Sequence, residues 1–352
     1  MTPLGAALAH EIAATGPMPV ARWMALCLGH PVHGYYVTRD PLGVAGDFTT
    51  APEISQIFGE LVGLWCADLW LRAGSPSRVR LVELGPGRGT LMADLRRATA
   101  GVPGFAEAAR VHFVETSPVL RAEQAARVPG ATWHDTLGDV PDDAPLLLVA
   151  NEFFDALPVR QFVRTASGWR ERLVTHDGTR FLPVAGAADT TPLVAAELRD
   201  AAPGSIVETS PASTAVAAEI GHRLRARGGA ALAIDYGHAG PVTGDTLQAV
   251  RAQAFADLFA APGDADLTAH VDFTALSDAA GVRAFGPIGQ GAWLSALGIG
   301  ARLDRLTARA TPLQAEALRA GVARLTAPDA MGTLFKVLAL TGGSWPEPGG
   351  FA

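Results

Sequence analysis

Three glycines at alternate positions, Gly85, Gly87 and Gly89, follow an apolar run in the sequence LVELGPGRGT. Glycine allows the backbone to turn sharply from a strand into a helix and to approach a ligand closely. The spacing G-x-G-x-G differs from the G-x-G-x-x-G of dinucleotide-binding folds, and the G-x-x-x-x-G-K-[ST] pattern of ATP phosphate loops is absent. Glu83 stands two residues before the first glycine and could orient an amine of a ligand. The stretch therefore predicts a ligand-binding turn of another kind, with a tight turn that binds nothing as the alternative.

Acidic residues also end the next two predicted strands, in VHFVET and TWHD. Because ligands of open α/β sheets bind at the carboxyl ends of the strands, Glu83, Glu115 and Asp135 are predicted to line one crevice. Glu115 is placed to accept hydrogen bonds from ribose hydroxyls, and Asp135 from an adenine amino group. A solvated strand end and a turn residue are the alternatives. Three carboxylates suit a cationic cofactor better than an anionic one, so the combination predicts binding of S-adenosylmethionine (SAM).

Polar residues follow the fourth predicted strand in the sequence PLLLVANEFFDALP. Charged groups beside a buried run need partners, because burying them alone is costly, and a helix cap is the simpler explanation. The functional interpretation is a loop above the methyl donor. A carboxylate that binds two nitrogens of a guanidinium localises the positive charge there and leaves the third nitrogen more nucleophilic. Glu152 is our first candidate for this catalytic role and Asp155 the second, while Asn151 is assigned to the cofactor.

Other residues are weaker candidates for contact with the substrate. Residues 30–55 are rich in Gly, Pro and Asp and are predicted to form a long ordered loop, in which Tyr35 and Tyr36 follow a glycine. Asp235 and Tyr236 follow another predicted strand, and His270 lies in LTAHVDF. For each of them, packing or a structural hydrogen bond is the alternative.

A metal site is not expected from the sequence. Cys27, His30 and His33 have the spacing C-x-x-H-x-x-H, but they form one isolated cluster with no partner cluster elsewhere. The G-x-S-x-G nucleophile elbow is also absent, so hydrolase chemistry has little support.

The composition restricts the class of protein. The chain of 352 residues has a net charge of −7 and no basic stripe, so a nucleic-acid partner is not expected. The longest apolar runs have the length of strands, which argues against insertion into a membrane. The two cysteines indicate a reducing compartment, and the N-terminal residues show no signal or transit pattern. We expect a cytoplasmic protein. A Schiff-base or phosphate-loop lysine has no candidate, because Lys336 is the only lysine.

Short apolar runs alternate with helical patterns from residue 78 onward, which predicts an α/β fold with a parallel sheet. We expect residues 1–75 to form an N-terminal helical and loop extension that covers the cofactor site. Residues 76–352 are expected to form the core, with insertions at about 160–205 and 240–285 and two added helices in 291–325. The extra helices could instead build a homodimer or bind a partner. Strands are predicted at 79–84, 110–116, 131–137, 145–154, 228–238 and 332–340, a hairpin at 161–174, and helices at 5–15, 19–29, 55–74, 90–100, 118–127 and 213–227.

Several long motifs resemble the MidA-like family, which includes the mitochondrial complex I assembly-factor methyltransferase. They are GYYVTRDPLGVAGDFTTAPEISQIFGELVGLW, LVELGPGRGTLMADLRR, VHFVETSP, LLLVANEFFDALPVRQFV, GDTLQAVRAQAFADLFAAPGDADLTAHVDF and MGTLFKVLAL. The resemblance covers nearly the whole chain. It implies a Rossmann-like class I methyltransferase core with a seven-stranded, mostly parallel sheet and inserted helices, with SAM as methyl donor. It further implies arginine methylation of the hydrophilic complex I subunit beside the quinone site.

The resemblance also assigns roles to particular residues of this sequence. Asp47, Phe48, Thr49 and Thr50 match the family's GDF-T-T segment, which is expected to fold over the cofactor. The sequence NEFF is similar to the start of the double-glutamate loop of protein arginine methyltransferases, with Glu152 at its first glutamate and no clear equivalent of the second. Without a transit pattern the chain resembles a bacterial member. A SAM-binding assembly chaperone without catalysis and a methyltransferase of small molecules are the alternatives to a protein arginine methyltransferase.

Overall fold

The computed structural model describes residues 1–38 and 49–351, and the chain divides into two compact units. The first, here called the sheet unit, contains Thr49–Phe153, Val216–Gly237 and residues 275–351. The second, the hairpin unit, is described for residues 1–38, Phe154–Ala215 and His238–Thr274. Within the described ranges no helix is both long and apolar enough to cross a lipid bilayer.

The helices are numbered in chain order. They are α1 (Pro3–Thr15), α2 (Val20–Gly29), α3 (Tyr35–Thr38), α4 (Ala51–Ile54), α5 (Gln56–Arg72), α6 (Thr90–Thr99), α7 (Phe105–Ala108), α8 (Pro118–Arg127), α9 (Pro211–Arg227), α10 (Phe273–Ala280), α11 (Gln290–Ala296), α12 (Ile299–Thr307), α13 (Pro312–Thr326) and α14 (Met331–Leu334).

The strands are numbered in the same way. They are β1 (Met18–Pro19), β2 (Val79–Leu84), β3 (Ala109–Val114), β4 (Thr132–His134), β5 (Leu146–Asn151), β6 (Arg160–Thr165), β7 (Gly168–His176), β8 (Phe181–Ala185), β9 (Ile206–Thr209), β10 (Gly229–His238), β11 (Gln248–Arg251), β12 (Ala254–Ala256), β13 (Asp266–Thr268), β14 (Val271–Asp272), β15 (Arg283–Gly289) and β16 (Phe335–Gly342).

The sheet unit is organised around strands in the order β15-β16-β10-β5-β2-β3-β4. The pairs β10–β5, β5–β2, β2–β3 and β3–β4 are parallel, whereas β16 pairs with β10 and β15 in antiparallel fashion. Every residue of β5 is buried, as expected for a central parallel strand covered on both faces. Strand order reverses between β2 and β5, and this is the position at which open α/β sheets bind ligands. The order and directions of these seven strands agree with the Rossmann-like, mostly parallel sheet that the motifs implied.

Helices α5 and α6 pack closely because two glycines of α5 carry no side chain. A Cβ at Gly59 would lie 2.8 Å from Asp94 Cβ, and one at Gly63 would lie 2.8 Å from Leu95 Cα. Ser55 Oγ accepts the backbone N–H of Ile57 at the start of α5, so this residue caps the helix. The tight pair positions α6 directly after the glycine loop.

The hairpin unit has its own apolar core. Strands β6 and β7 form the predicted hairpin, and the sheet runs β1-β7-β6-β9 with β8 beside β7. A second sheet has the order β12-β11-β13. Trp23 of α2 is fully buried and packs against Phe181, with 4.8 Å between the ring centroids. Aromatic burial of this kind contributes much of the stability of a small core.

Most of the predicted helices and strands are present, although β4 and β5 end three residues earlier than predicted. Three further regions differ. The region 291–325, predicted as two helices, contains α11, α12 and most of α13. A new helix begins after Gly298 and another after Thr311, where Pro312 takes the first helical position, so the region forms three helices. Residues 332–334 belong to α14, so β16 starts later than predicted. The segment 30–55, predicted as a loop, contains α3 and α4, and its residues 39–48 lie outside the described ranges.

Two helical glycines should respond in opposite ways to substitution by alanine. A Cβ at Gly221 of α9 would lie 1.9 Å from Ala280 O, whereas one at Gly300 of α12 would have no atom within 4 Å. We expect Gly221→Ala to lower the free energy of unfolding by about 2–3 kcal/mol through overlap. Gly300→Ala should raise it by up to about 1 kcal/mol through helix propensity. Urea unfolding measures both, and equal effects of the two substitutions would contradict the steric assignment.

Candidate functional site

The glycine loop joins β2 to α6 at the carboxyl edge of the sheet. Gly85, Gly87 and Gly89 have φ angles of +59°, +51° and +78°, which side chains rarely adopt. The N–H of Gly85 donates to Val114 O (3.0 Å), so the loop begins as a continuation of the sheet. A Cβ at Gly85 would lie 3.0 Å from the ring of Phe153. The three glycines are therefore required by the turn, as the spacing predicted.

Glu83 places a carboxyl group inside the sheet, next to this turn. Its side chain is 4% exposed, and Oε2 has no hydrogen-bond partner among the described residues. Burial raises the pKa of Glu83 well above the usual carboxyl range. A buried acceptor without a donor is costly, so this site is well suited to a ligand that brings a donor.

Asn151 provides a second acceptor at the same edge. It is 8% exposed, its Oδ1 has no partner among the described residues, and its Nδ2 donates to Glu152 Oε1 (3.1 Å). Glu83 is in register with Val149, which lies two residues before Asn151. Because side chains alternate along a strand, Glu83 and Asn151 project from the same face. Two such acceptors fit an ammonium group, which the methionine part of SAM carries, so the residues present fit this cofactor.

Glu115 lies at the end of β3 with both carboxylate oxygens held. Oε1 accepts the N–H of Ser117 (2.7 Å) and Oε2 accepts Nε2 of Gln124 (3.3 Å). Burial raises the pKa of Glu115, while the Ser117 N–H and the Gln124 amide oppose this effect. A carboxylate has about four acceptor positions, so Glu115 keeps capacity for ribose hydroxyls. Gln124 was missed by the sequence reasoning, because a glutamine within a helix gives no signal of burial.

Asp135 is the outermost of the three strand-end acids. Its side chain is 75% exposed and forms an ion pair with Arg121 Nη2 (2.7 Å). The Nε of Arg121 also donates to Glu115 O (2.7 Å), which connects the ends of β3 and β4. The contact of Asp135 with an adenine stays a prediction.

Glu152 begins the loop after β5 in an unusual conformation. Its φ is +50°, a region that costs a non-glycine residue of the order of 1–3 kcal/mol and that is found mostly at functional sites. Its N–H donates to Ile234 O (2.9 Å), and its Oε1 accepts Asn151 Nδ2 and the N–H of Ala51 (2.9 Å). The strained backbone and these donors hold the half-buried carboxylate in one position.

The segment that starts α4 connects Glu152 to the glycine loop. Ala51 binds Glu152, and two residues later Glu53 Oε1 accepts the hydroxyl of Thr90, the first residue of α6 (2.5 Å). Thr50 caps α4 through its carbonyl, which accepts Glu53 N–H (2.9 Å). Thr49 precedes it at intermediate exposure. The other two residues of the predicted cofactor segment, Asp47 and Phe48, lie outside the described residues.

Asp235 and Tyr236 lie at the end of β10, in the same unit. Asp235 is fully buried, and its carboxylate accepts the N–H of Tyr236 (3.0 Å) and of Phe153 (3.2 Å). Tyr236 packs edge-on against Phe335, with 5.4 Å between centroids. Asp235 thus fixes the loop that carries Glu152, and the predicted contacts of both residues with substrate stay predictions.

The remaining predicted site residues belong to the hairpin unit. Tyr35 is fully buried and packs edge-on against Tyr36 (5.3 Å). The hydroxyl of Tyr36 donates to Asp266 Oδ1 (2.8 Å), and the pKa of Tyr36 is raised well above its usual value by burial and by Asp266 and Asp155. The structure therefore brings Asp155 near the two tyrosines. Asp266 was missed, although an acid at the start of the fully buried strand β13 is a detectable signal.

His270 follows β13 in the same unit. Its N–H donates to Thr246 Oγ1 (2.8 Å), and burial and the neighbouring His238 lower its pKa, so the neutral ring is favoured. A neutral imidazole can accept a hydrogen bond, which is compatible with the predicted substrate contact.

The cysteine–histidine cluster has local roles in the structure. Cys27 is buried, which raises its pKa to about 12. The Nδ1 of His30 accepts the N–H groups of Val32 and His33, and the two imidazoles are stacked at 5.4 Å. In the part of the chain that the structure describes, no group of three or more His, Cys, Asp or Glu side chains is arranged to hold a metal.

Comparison with known proteins agrees with this geometry. A family model described as an S-adenosyl-L-methionine-dependent methyltransferase matches residues 61–288, more than half of the chain. The crystal structure of a methyltransferase-like protein from Burkholderia thailandensis, bound to S-adenosyl-homocysteine, is 31% identical. The alignment covers 98% of this chain and 93% of that one with a TM-score of 0.84. A second crystal structure from the same organism gives a TM-score of 0.81 at 31% identity, over 98% and 92% of the two chains.

Named relatives are similar over almost the whole chain. The protein arginine methyltransferase NDUFAF7 homolog of Drosophila melanogaster, a mitochondrial protein, is 40% identical over 95% of this chain and 83% of its own. The human mitochondrial protein arginine methyltransferase NDUFAF7 is 38% identical over 97% and 83%. The fold and the glycine-loop edge define a class I methyltransferase. The chain belongs to the SAM-dependent methyltransferase family that includes these relatives, and SAM is its cofactor.

Replacing Glu83 should raise the stability of the folded chain and weaken cofactor binding. A raised pKa means that the folded chain binds the Glu83 proton more tightly than the unfolded chain does, so this group lowers stability as pH rises from the usual carboxyl range. We expect Glu83→Gln to remove that loss, so its stability advantage over the wild type should grow between about pH 5 and pH 8. Binding of S-adenosyl-homocysteine should weaken by about 10–100-fold, since a charged hydrogen bond is lost.

Thermal unfolding and calorimetric titration measure the two effects. Glu107→Gln, at an exposed carboxylate of α7, is the matched control. A Glu83 variant with unchanged affinity would show that this carboxyl group does not contact the cofactor.

Proposed function

We propose that this enzyme transfers a methyl group from SAM to an arginine side chain of a protein substrate. The bond between sulfur and the methyl carbon breaks as the bond to nitrogen forms, S-adenosyl-homocysteine leaves, and the methylated nitrogen releases one proton. The observation that carries the proposal is the carboxylate of Glu152, fixed by Ala51 and Asn151 at the carboxyl end of β5, beside the glycine loop. The names of the relatives in Drosophila and human support arginine as the acceptor. Methylation of small molecules has no comparable support.

The cofactor contacts follow from the positions of the acceptors. We assign the ammonium group to Glu83 and Asn151 and the ribose hydroxyls to Glu115, with the glycine loop as the backbone surface between them. Asp135 is the candidate for the adenine amino group, and Thr49 and Thr50 belong to the segment beside the site. When bound, SAM supplies an electrophilic methyl group on a positively charged sulfur.

The side chain of Glu152 supplies what arginine chemistry requires. A guanidinium is cationic and keeps its proton at neutral pH. We assign the guanidinium of the substrate to the Glu152 carboxylate, because hydrogen bonds between an arginine and an ionised carboxylate are strong and directional. This pairing concentrates positive charge on two nitrogens and offsets repulsion by the cationic donor. It also orients the third nitrogen, and alignment of the reacting atoms supplies a large part of the rate enhancement.

Four of the site residues predicted from the sequence belong to the hairpin unit. Tyr35, Tyr36, Asp155 and His270 remain our candidates there, with Asp266 added because it holds the hydroxyl of Tyr36. For Asp155, we propose the role of second carboxylate that was predicted from the sequence. Asp235 and Tyr236 are retained as candidates from the sheet unit.

The proposed substrate is the hydrophilic quinone-site subunit of respiratory complex I, in the cytoplasm of a bacterium. This step rests on the resemblance of the long motifs to the family that contains the mitochondrial assembly factor. An assembly role follows from it, since a modification made on a free subunit precedes its docking. Nucleic acid is not part of the proposal.

Glu152→Gln should lower kcat for methyl transfer by about 100-fold or more, because the charge that polarises the guanidinium is lost. The amide oxygen of glutamine can still accept from Ala51 and Asn151, so the fold and the affinity for S-adenosyl-homocysteine should change little. Transfer of a radiolabelled methyl group and calorimetry measure the two quantities. Glu316→Gln, on an exposed position of α13, is the control. Full activity of the Glu152 variant would remove this residue from the mechanism.

The protein substrate is tested by mass spectrometry of the purified complex I subunits. Strains that carry the wild-type gene, no gene, or the Glu152→Gln gene are compared. We expect a methylated arginine on the hydrophilic quinone-site subunit in the first strain only. An identical arginine pattern in all three would overturn the proposed substrate. A mark that persists with the variant but disappears in the deletion strain would favour an assembly chaperone instead.

A further inference from the structure

Gln124 occupies a central place in the cofactor edge of the sheet unit. It lies on α8 and its side chain is fully buried, with 0% exposed. Its Nε2 donates to Gly87 O (2.6 Å) and to Glu115 Oε2 (3.3 Å), and its Oε1 accepts Trp133 Nε1 (2.8 Å). One amide therefore connects the glycine loop, the end of β3 and strand β4.

The orientation of this amide is determined by its partners. The indole N–H of Trp133 can only donate, so it must face the amide oxygen. The carbonyl of Gly87 can only accept a hydrogen bond, and the same holds for the carboxylate of Glu115 when it is ionised. Both groups must therefore face the amide nitrogen. Rotation of the amide by half a turn would place the amide oxygen against two acceptors and the amide nitrogen against the indole donor. The network is thus satisfied in one orientation.

The rest of the Gln124 side chain packs against the same loop. A Cβ at Gly89 would lie 3.5 Å from Gln124 Cγ and 3.6 Å from its Cα. The other oxygen of Glu115 is held by Ser117 N–H (2.7 Å). With Gln124 on Oε2, the carboxylate of Glu115 is fixed from both sides, and its distance from the Gly87 carbonyl is set by a single amide nitrogen.

We propose that Gln124, oriented by Trp133, is the positioning residue of the SAM site. It holds the glycine loop and the Glu115 carboxylate at a fixed separation. Its N–H group also favours the ionised form of Glu115, which can accept hydrogen bonds from ribose hydroxyls. This proposal concerns the cofactor alone. It stands whichever acceptor the enzyme methylates, so its failure and that of arginine methylation are distinguishable.

Gln124→Glu is the decisive variant, because it replaces the donor by an oxygen of the same size. Two acceptors would then face the introduced carboxylate. We expect the affinity for S-adenosyl-homocysteine, measured by calorimetry at about pH 8, to fall about 10–100-fold relative to the wild type. At about pH 5.5 the ratio of the two affinities should move back towards one, since a protonated carboxyl group can donate to one of the acceptors. Glutamine does not titrate, and a residue that only fills space would give no such pH profile.

Trp133→Phe is the companion variant and keeps an aromatic ring in place. It removes the donor that orients the amide, and we expect a loss of affinity of about 3–10-fold without the pH profile. In the double variant, Trp133→Phe should add little to Gln124→Glu, because both act on one network.

The proposal is overturned by an affinity ratio that stays near one for a folded Gln124→Glu protein. It is also overturned by a loss that does not change with pH, or by two effects that simply add. If Gln124→Glu does not yield folded protein, Trp133→Phe alone decides. A folded Trp133→Phe protein with unchanged affinity overturns the proposal, and the expected loss supports it.

Discussion

The parallel register of β2 with β3 and β5 determines where every group of the cofactor edge lies. Glu83 is opposite Phe113 on one side and Val149 on the other. A shift of one residue in either pairing would move Glu83 or Asn151 to the other face of the sheet. The turn at Gly85 depends on the same register, since its N–H continues the ladder to Val114. The chemistry of this edge is therefore a consequence of backbone pairing between strands buried on both faces.

That pairing has an energetic cost which the function explains. Glu83 and Asn151 keep buried acceptors without donors among the described residues, and Glu152 keeps a backbone conformation that disfavours a side chain. Each feature lowers stability, and none improves packing. The apolar core around β5 and the tight packing of α5 on α6 supply the stability that tolerates them. At this edge, a strained residue and two unsatisfied acceptors lie where a cationic ligand is expected, a combination typical of functional sites.

Local signals in the sequence were enough to predict which residues lie at the carboxyl edge of the sheet. The bounds of β2 agree with the prediction because an apolar run is ended by three glycines, and the acids at the strand ends follow from the same pattern.

Strand β15 was missed because Gly286 and Pro287 interrupt it, and such residues argue against a strand. The contact between Ala51 and Glu152 joins residues 101 apart and has no local signal. The burial of Gln124 was equally hidden, since a polar side chain on a helix normally faces solvent.

The single turn of α4 couples two parts of the cofactor edge. Within three residues, Ala51 supports the carboxylate of Glu152 and Glu53 binds the first residue after the glycine loop. Because both contacts come from one turn, a displacement of that turn would disturb both of them together. The position of the Glu152 carboxylate is therefore linked to the end of the glycine loop, although 101 residues of sequence separate Ala51 from Glu152.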